Sequence, residues 1–235
     1  MTTPPRKRFY KAATVTDDNG IALDGRPIRT PLKQPLKLPT RALAEAIARE
    51  WEGQGETIDP SSLILTKLAN TAIDRVADDP RRIADEIVKF AGTDQVSYRA
   101  HEPEGLVARQ AEHWNPVLDW AMSQLDAPFE TTTGIVHRQQ PAEALGAFAR
   151  HIERLDPWTL TALHNLATIT GSALIAAMLA EGALDREAAW RAAFVDEDWE
   201  SELWGKDEEA MQRRAALRRE FDACIDFLEL ARQKQ

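Results

Sequence analysis

The sequence predicts an α+β protein: a small β-rich N-terminal domain with one or two helices (residues 1–80), then a mainly α-helical C-terminal domain (residues 81–235). Three observations carry that prediction. Turn pairs and prolines punctuate the first 40 residues, which favours short strands. From about residue 103 apolar residues recur at helical spacing. Residues 157–180 carry no formal charge, as a helix enclosed by other helices would.

In chain order, "RFYKAATVTDDNGIALDGRPIRTPLKQPLKLPT" offers three β-like runs broken at Asp18-Asn19-Gly20 and Asp24-Gly25. Asp-Gly accepts the positive φ of a tight hairpin turn, so "IALDGRPIRT" is expected to be a hairpin. Pro27, Pro31, Pro35 and Pro39 lack the ladder N–H and keep these strands short or at an edge. Thr40 caps a helix in which Leu43, Ile47 and Trp51 share one stripe, which makes Trp51 a structural core residue. A second helix covers 63–76. A third begins at Asp79-Pro80, a cap followed by proline in the first turn. A short strand is expected at 95–99, a helix kinked at Pro116 over 103–125, a strand within 129–136 and a helix over 141–155. Asp156-Pro157 opens one long uncharged helix ending at Gly182. Asp185 begins the next, and Leu217, Phe221, Cys224, Leu228 and Ala231 form the buried stripe of the last, 207–233.

Composition removes several classes of function. A net charge of −9 argues against nucleic acid, whose phosphates need a basic face. The single cysteine, Cys224, excludes an internal disulfide and a cysteine-rich zinc site, fits a reducing compartment, and reads as a structural thiol. No apolar stretch follows the basic residues Arg6, Lys7 and Arg8, so no secretory signal is expected. The uncharged segment is too rich in Thr, Ser, His and Asn to enter hydrocarbon, so no membrane insertion is expected. Phosphate-loop, dinucleotide, HExxH and paired-cysteine motifs are all missing. No cofactor, metal or catalytic set is therefore expected. "YRAHEPEG" (98–105) gathers Arg99, His101, Glu102 and Glu104; a solvated capping loop outweighs an acid–base site there. His164, on the apolar helix, is expected to be a hydrogen-bonded core histidine.

The stretch "FVDEDWESELWGKDEEA" (194–210) sets eight carboxylates around Trp199, Trp204 and Lys206. Three readings compete: a solvated acidic helix end with both indoles folded into the core, a carboxylate metal site, or a partner-binding patch.

The longer segment "EAAWRAAFVDEDWESELWGKDEEA" (187–210) resembles the signature of the F1 ATP synthase assembly chaperones that act on the alpha subunit. In eukaryotes this is the ATP synthase F1 complex assembly factor 2 family. "LDGRPIRTP" (23–31), "LPTRALAEAIAREWEGQGETIDP" (38–60), "LTKLANTAIDRV" (65–76), "TDQVSYRA" (93–100), "RQAEHWNPVLDW" (109–120) and "LTALHNLATITGSALIAAMLAEG" (160–182) also look like family segments, in family order. The resemblance implies a non-catalytic, two-part chaperone without a cofactor. It would bind the free F1 alpha subunit, prevent its aggregation, and yield to the beta subunit. A bacterial, cytoplasmic member is implied, because the leader of the mitochondrial members is missing, and a monomer is expected. For the partner site the resemblance points to Glu200 and Glu202 as direct contacts with Asp207 behind them. It also points to Trp204 and Gly205, the motif's most characteristic pair; Gly205 permits the turn into the last helix. A general holdase without a fixed client, or a carboxylate-based metal-dependent hydrolase using 98–105 with 196–202, are the rival readings.

Overall fold

The computed structural model describes residues 7–134, 138–205 and 207–233. The expected hairpin forms from β2 (Ile21–Leu23) and β3 (Arg26–Pro27), with Asp24 at φ 48° and Gly25 at φ 77° as its two-residue turn. β1 (Ala13–Val15) pairs antiparallel with the other edge of β2, giving a three-stranded sheet in the order β1-β2-β3. The Asp24 carboxylate accepts from the backbone N–H groups of Lys11 and Ala12, and Glu52 accepts from that of Ala13. These acids satisfy edge donors that a longer sheet would pair.

Helix α1 (Arg41–Glu52) starts where Thr40 Oγ1 accepts from the Leu43 N–H at 3.1 Å. The same hydroxyl donates to the Leu230 carbonyl at 2.7 Å, so the cap ties the first helix to the end of the chain. α2 (Ile64–Thr71) runs into a π-helical turn over Ala72–Val76, and α3 (Pro80–Gly92) begins at the Asp79 cap. A 3₁₀ turn at Gln95–Ser97 leads into β4 (Tyr98–Arg99), which lies parallel to β5 (Thr132–Thr133). Part of the strand expected over 129–136 lies outside the described residues. α4 (Glu104–Leu125) continues through Pro116, and α5 (Ala142–Ile152) follows.

The long uncharged helix is in fact two, α6 (Pro157–Thr170) and α7 (Ala173–Ala180). Gly171, at φ +65°, ends the first in the left-handed conformation that favours glycine, and Ser172 Oγ caps the second through the Ile175 N–H at 3.0 Å. The break admits a polar plug. Asp94, fully buried, accepts from the Leu174 N–H (3.0 Å) and the Val96 N–H (3.2 Å), while the Gln95 amide donates to the carbonyls of Thr170 and Ala193. A β-carbon on Gly171 would lie 3.2 Å from Gln95 Oε1. His164 is not the core histidine its helix suggests. It is half-buried at the rim of α6, with Nε2 3.3 Å from Glu86 and its ring edge-on to Phe90.

α8 (Arg186–Ala193), α9 (Val195–Trp204) and α10 (Glu208–Arg232) complete the chain. The main core runs from Ile21 and Leu36 through Leu43, Ile47, Ile87 and Trp114 to Phe221 and Phe227, drawing on both sides of residue 80. α10 packs on α6, α2 and α1, which is how the last helix closes over the first. A smaller cluster of Tyr10, Leu23, Ile58 and Leu63 underlies the sheet. Trp51, partly buried, packs against both clusters; the Tyr10 hydroxyl donates to its carbonyl at 2.6 Å and the two rings meet edge to face. Among the described residues no helix is long and apolar enough to cross a membrane.

Candidate partner-binding site

Where α9 turns into α10 the chain forms an acidic elbow. Gly205, at φ +88°, ends α9, and Asp207 Oδ2 accepts from the Ala210 N–H at 3.2 Å to start α10. Glycine and an Asp cap at these positions are what a tight helix–helix turn requires.

One face of α9 is docked on α4 by residues three apart. Asp196 accepts from Gln110 at 2.8 Å, Trp199 lies on Gly105, and Glu202 takes both terminal nitrogens of Arg109 at 2.9 and 2.8 Å. A β-carbon at Gly105 would sit 2.7 Å from the Trp199 ring, so the bare backbone is what lets the indole approach. The Arg109 guanidinium also lies 5.1 Å from the Trp199 ring centre. Its charge and two hydrogen bonds hold the Glu202 carboxyl below the usual glutamate range.

Two more acids of α9, Glu197 and Asp198, are engaged toward α10. Arg214 meets Asp198 at 2.6 Å and Glu197 at 3.8 Å, and lies over Trp190 and Phe194. Arg218 pairs with Glu187 and with Asp222, and covers Trp190 at 5.1 Å. Between α9 and the first turns of α10 lies an open groove of about 750 Å³, lined among others by Trp190, Glu200, Trp204, Met211 and Leu217. Trp204 is 86% exposed, and Leu203, Met211 and Leu217 are exposed with it.

The residues singled out in the sequence therefore part company. Glu200 and Trp204 stand one helical turn apart on the groove. Gly205 and Asp207 build the turn, and Glu202 faces α4. Trp204 is not folded into the core, and Trp199 is only half-buried, against α4. Leu217, expected on the buried stripe, is exposed because α10 leaves the helical body before Phe221. Lys206 lies outside the described residues. Gly105, Arg109, Arg214 and Met211 were not singled out from the sequence; their roles come from segments brought together by folding, and no local pattern marks them.

Among the described residues no group of three or more His, Cys, Asp or Glu is arranged to hold a metal ion. Arg99 is turned inward, donating to the Val96 carbonyl at 2.8 Å and to Asn115 at 3.0 Å, with burial lowering its pKa. His101 and Glu102 face each other at 3.5 Å in solvent. Cys224 is buried, and burial pushes its thiol up to about 12, which suits a packing role.

This α+β body spends most of its α9 acids on guanidinium pairs and caps, and it leaves an indole open beside a groove, a surface of the kind that binds other proteins. The comparisons agree. The family profile described as ATP12 chaperone protein matches residues 7–122. The crystal structure of Atp12 from Paracoccus denitrificans is 40% identical, with a TM-score of 0.88, over 97% of this chain and 99% of that one. That of the Atu1473 protein from Agrobacterium tumefaciens is 45% identical, with a TM-score of 0.90, over 97% of this chain and 87% of that one. The mitochondrial protein atp12 of Schizosaccharomyces pombe is 25% identical over 222 residues, 88% of this chain and 76% of its own. The chain belongs to the ATP12 chaperone family, the chaperones of ATP synthase assembly, and it is not an enzyme.

Proposed function

We propose that this chaperone binds the free F1 alpha subunit through the α9–α10 elbow and keeps it from aggregating until the beta subunit takes its place. The observation that carries the reading is the exposed apolar set at the elbow, Trp204, Met211 and Leu217 on the groove with Leu203 next to Trp204 in α9, among acids of which Glu200 is left without a cation. Contiguous exposed apolar surface marks interaction sites, and tryptophan is the residue type most enriched among binding anchors. Trp204 supplies the anchor and Glu200 the charge that steers a basic surface, while Glu202 acts on the partner surface through its Arg109 pair, which docks α9 on α4. Gly205 and Asp207 hold the elbow in shape. Charge speeds encounter without making the complex permanent, which suits a holder that must be displaced. The protein works as a monomer in the bacterial cytoplasm, and Trp51 serves the fold rather than the client.

Size-exclusion chromatography with the isolated alpha subunit tests this, with beta as control and Glu200→Lys and Glu202→Lys run alongside. Co-elution with alpha alone, lost in folded variants, is the expected result. A wild type that elutes alone refutes the client. Equal protection of unrelated aggregating proteins would instead make it a general holdase.

A further inference from the structure

We propose that Trp204 and Glu200 form an open cage for one arginine side chain, carried by an apolar segment of the partner. This names the partner's chemistry at the elbow and rests on reading the elbow as the client surface.

The argument comes from a pattern this region repeats. Trp199 is covered by the Arg109 guanidinium at 5.1 Å, and Glu202 holds that guanidinium through two hydrogen bonds. Trp190 is covered by Arg214 and Arg218, held in turn by Asp198 and by Glu187 with Asp222. Each is the same three-part unit of indole, guanidinium and carboxylate, in which the ring face and the acid share one cation. Arginine suits it because its planar head can stack on the ring and still donate sideways to an acid.

On α9 the third set of parts is present without its cation. Glu200 precedes Trp204 by four residues, which places both on one face of the helix, and both line the groove. Among the described residues no guanidinium or ammonium lies over Trp204 and none pairs with Glu200, while Arg213, Arg214 and Arg218 at the same groove are each held by other acids. Among the described residues at the groove, Glu200 is thus a carboxylate with neither a cation nor a cap to hold it, Asp207 being spent on the Ala210 N–H. Beside it the exposed Met211 and Leu217 provide apolar floor. The complementary occupant carries one guanidinium flanked by apolar side chains. A groove of about 750 Å³ takes several side chains, so a segment of chain fits better than one residue.

The test is an array of 15-residue peptides tiling the alpha subunit, probed with the full-length chaperone. Each retained peptide is resynthesised with citrulline, the neutral isostere, at its arginines. Retained peptides should carry arginine beside apolar residues, and citrulline should weaken them about tenfold, the scale of a desolvated cation–π contact with its acid. Glu200→Gln should weaken the arginine peptide similarly and leave the citrulline peptide unchanged, whereas Trp204→Ala, which also removes the apolar anchor, should weaken both and the arginine peptide more. Retention that ignores citrulline, or no retained peptide at all, overturns the cage. If alpha co-elutes while the array shows no arginine dependence, the cage alone fails. If arginine peptides bind but alpha does not, the client reading fails and the cage stands.

Discussion

Asp94 sets two opposing effects against each other, and its titration tells which wins. The carboxylate is fully buried beneath the α6–α7 break, where desolvation favours the neutral acid and pushes its pKa up to about 6. Hydrogen bonds from Ser172 and from the N–H groups of Leu174 and Val96 pull the other way. With 3.8 as its ordinary value, the native state holds this proton more tightly than the unfolded chain does. The stability contribution is therefore present below pH 3.8 and is lost as pH rises through 6. Between pH 4 and pH 7 the difference is about 2 kcal/mol. Asp94→Asn cannot titrate and isolates this group, because acids with depressed pKa values such as Asp24 and Asp59 are common to both proteins. Urea unfolding followed by circular dichroism at each pH gives the comparison. The wild type should gain about 2 kcal/mol over Asp94→Asn as pH falls from 7 to 4. A gap that stays flat or narrows would show that the backbone donors outweigh desolvation, and the argument from burial would be refuted.

Trp51→Arg places a charge where the indole joins the two apolar clusters. It should cost about 3 kcal/mol or more, seen as a melting temperature roughly 6–12 °C lower; an unchanged melt refutes the core role. Gly105→Ala drives a methyl into the Trp199 ring and should loosen α9 from α4, read as faster amide exchange across 196–202, whereas unchanged protection would mean the ring shifts freely. Cys224 should resist a thiol reagent in the native protein at pH 8 and react at once in urea; rapid native labelling would contradict its burial.

Local pattern reached far into this fold. The Asp24-Gly25 hairpin, the Thr40, Asp79 and Asp156 caps, and the stripe of Leu43 and Ile47 each depend on backbone sterics or on periodicity over a few residues. The same reading failed at residues 157–182. There a long run without formal charge hid Gly171 and Ser172, a C-terminal glycine and an N-cap whose meaning depends on Asp94 and Gln95 arriving from elsewhere in the chain. It failed again at Leu217, whose spacing is that of a core residue but whose turn of α10 has nothing packed over it.

The elbow divides the same way. The sequence by itself determined that acids and indoles crowd 194–210, that Gly205 and Asp207 suit a turn, and which family signature they resemble. Which acids are free was decided only by tertiary structure. Glu202 and Glu200 are nearly equivalent in sequence, yet Arg109, 93 residues away, takes one and leaves the other. An ion pair depends on distance in space, and that distance is set by how α4, α9 and α10 pack together.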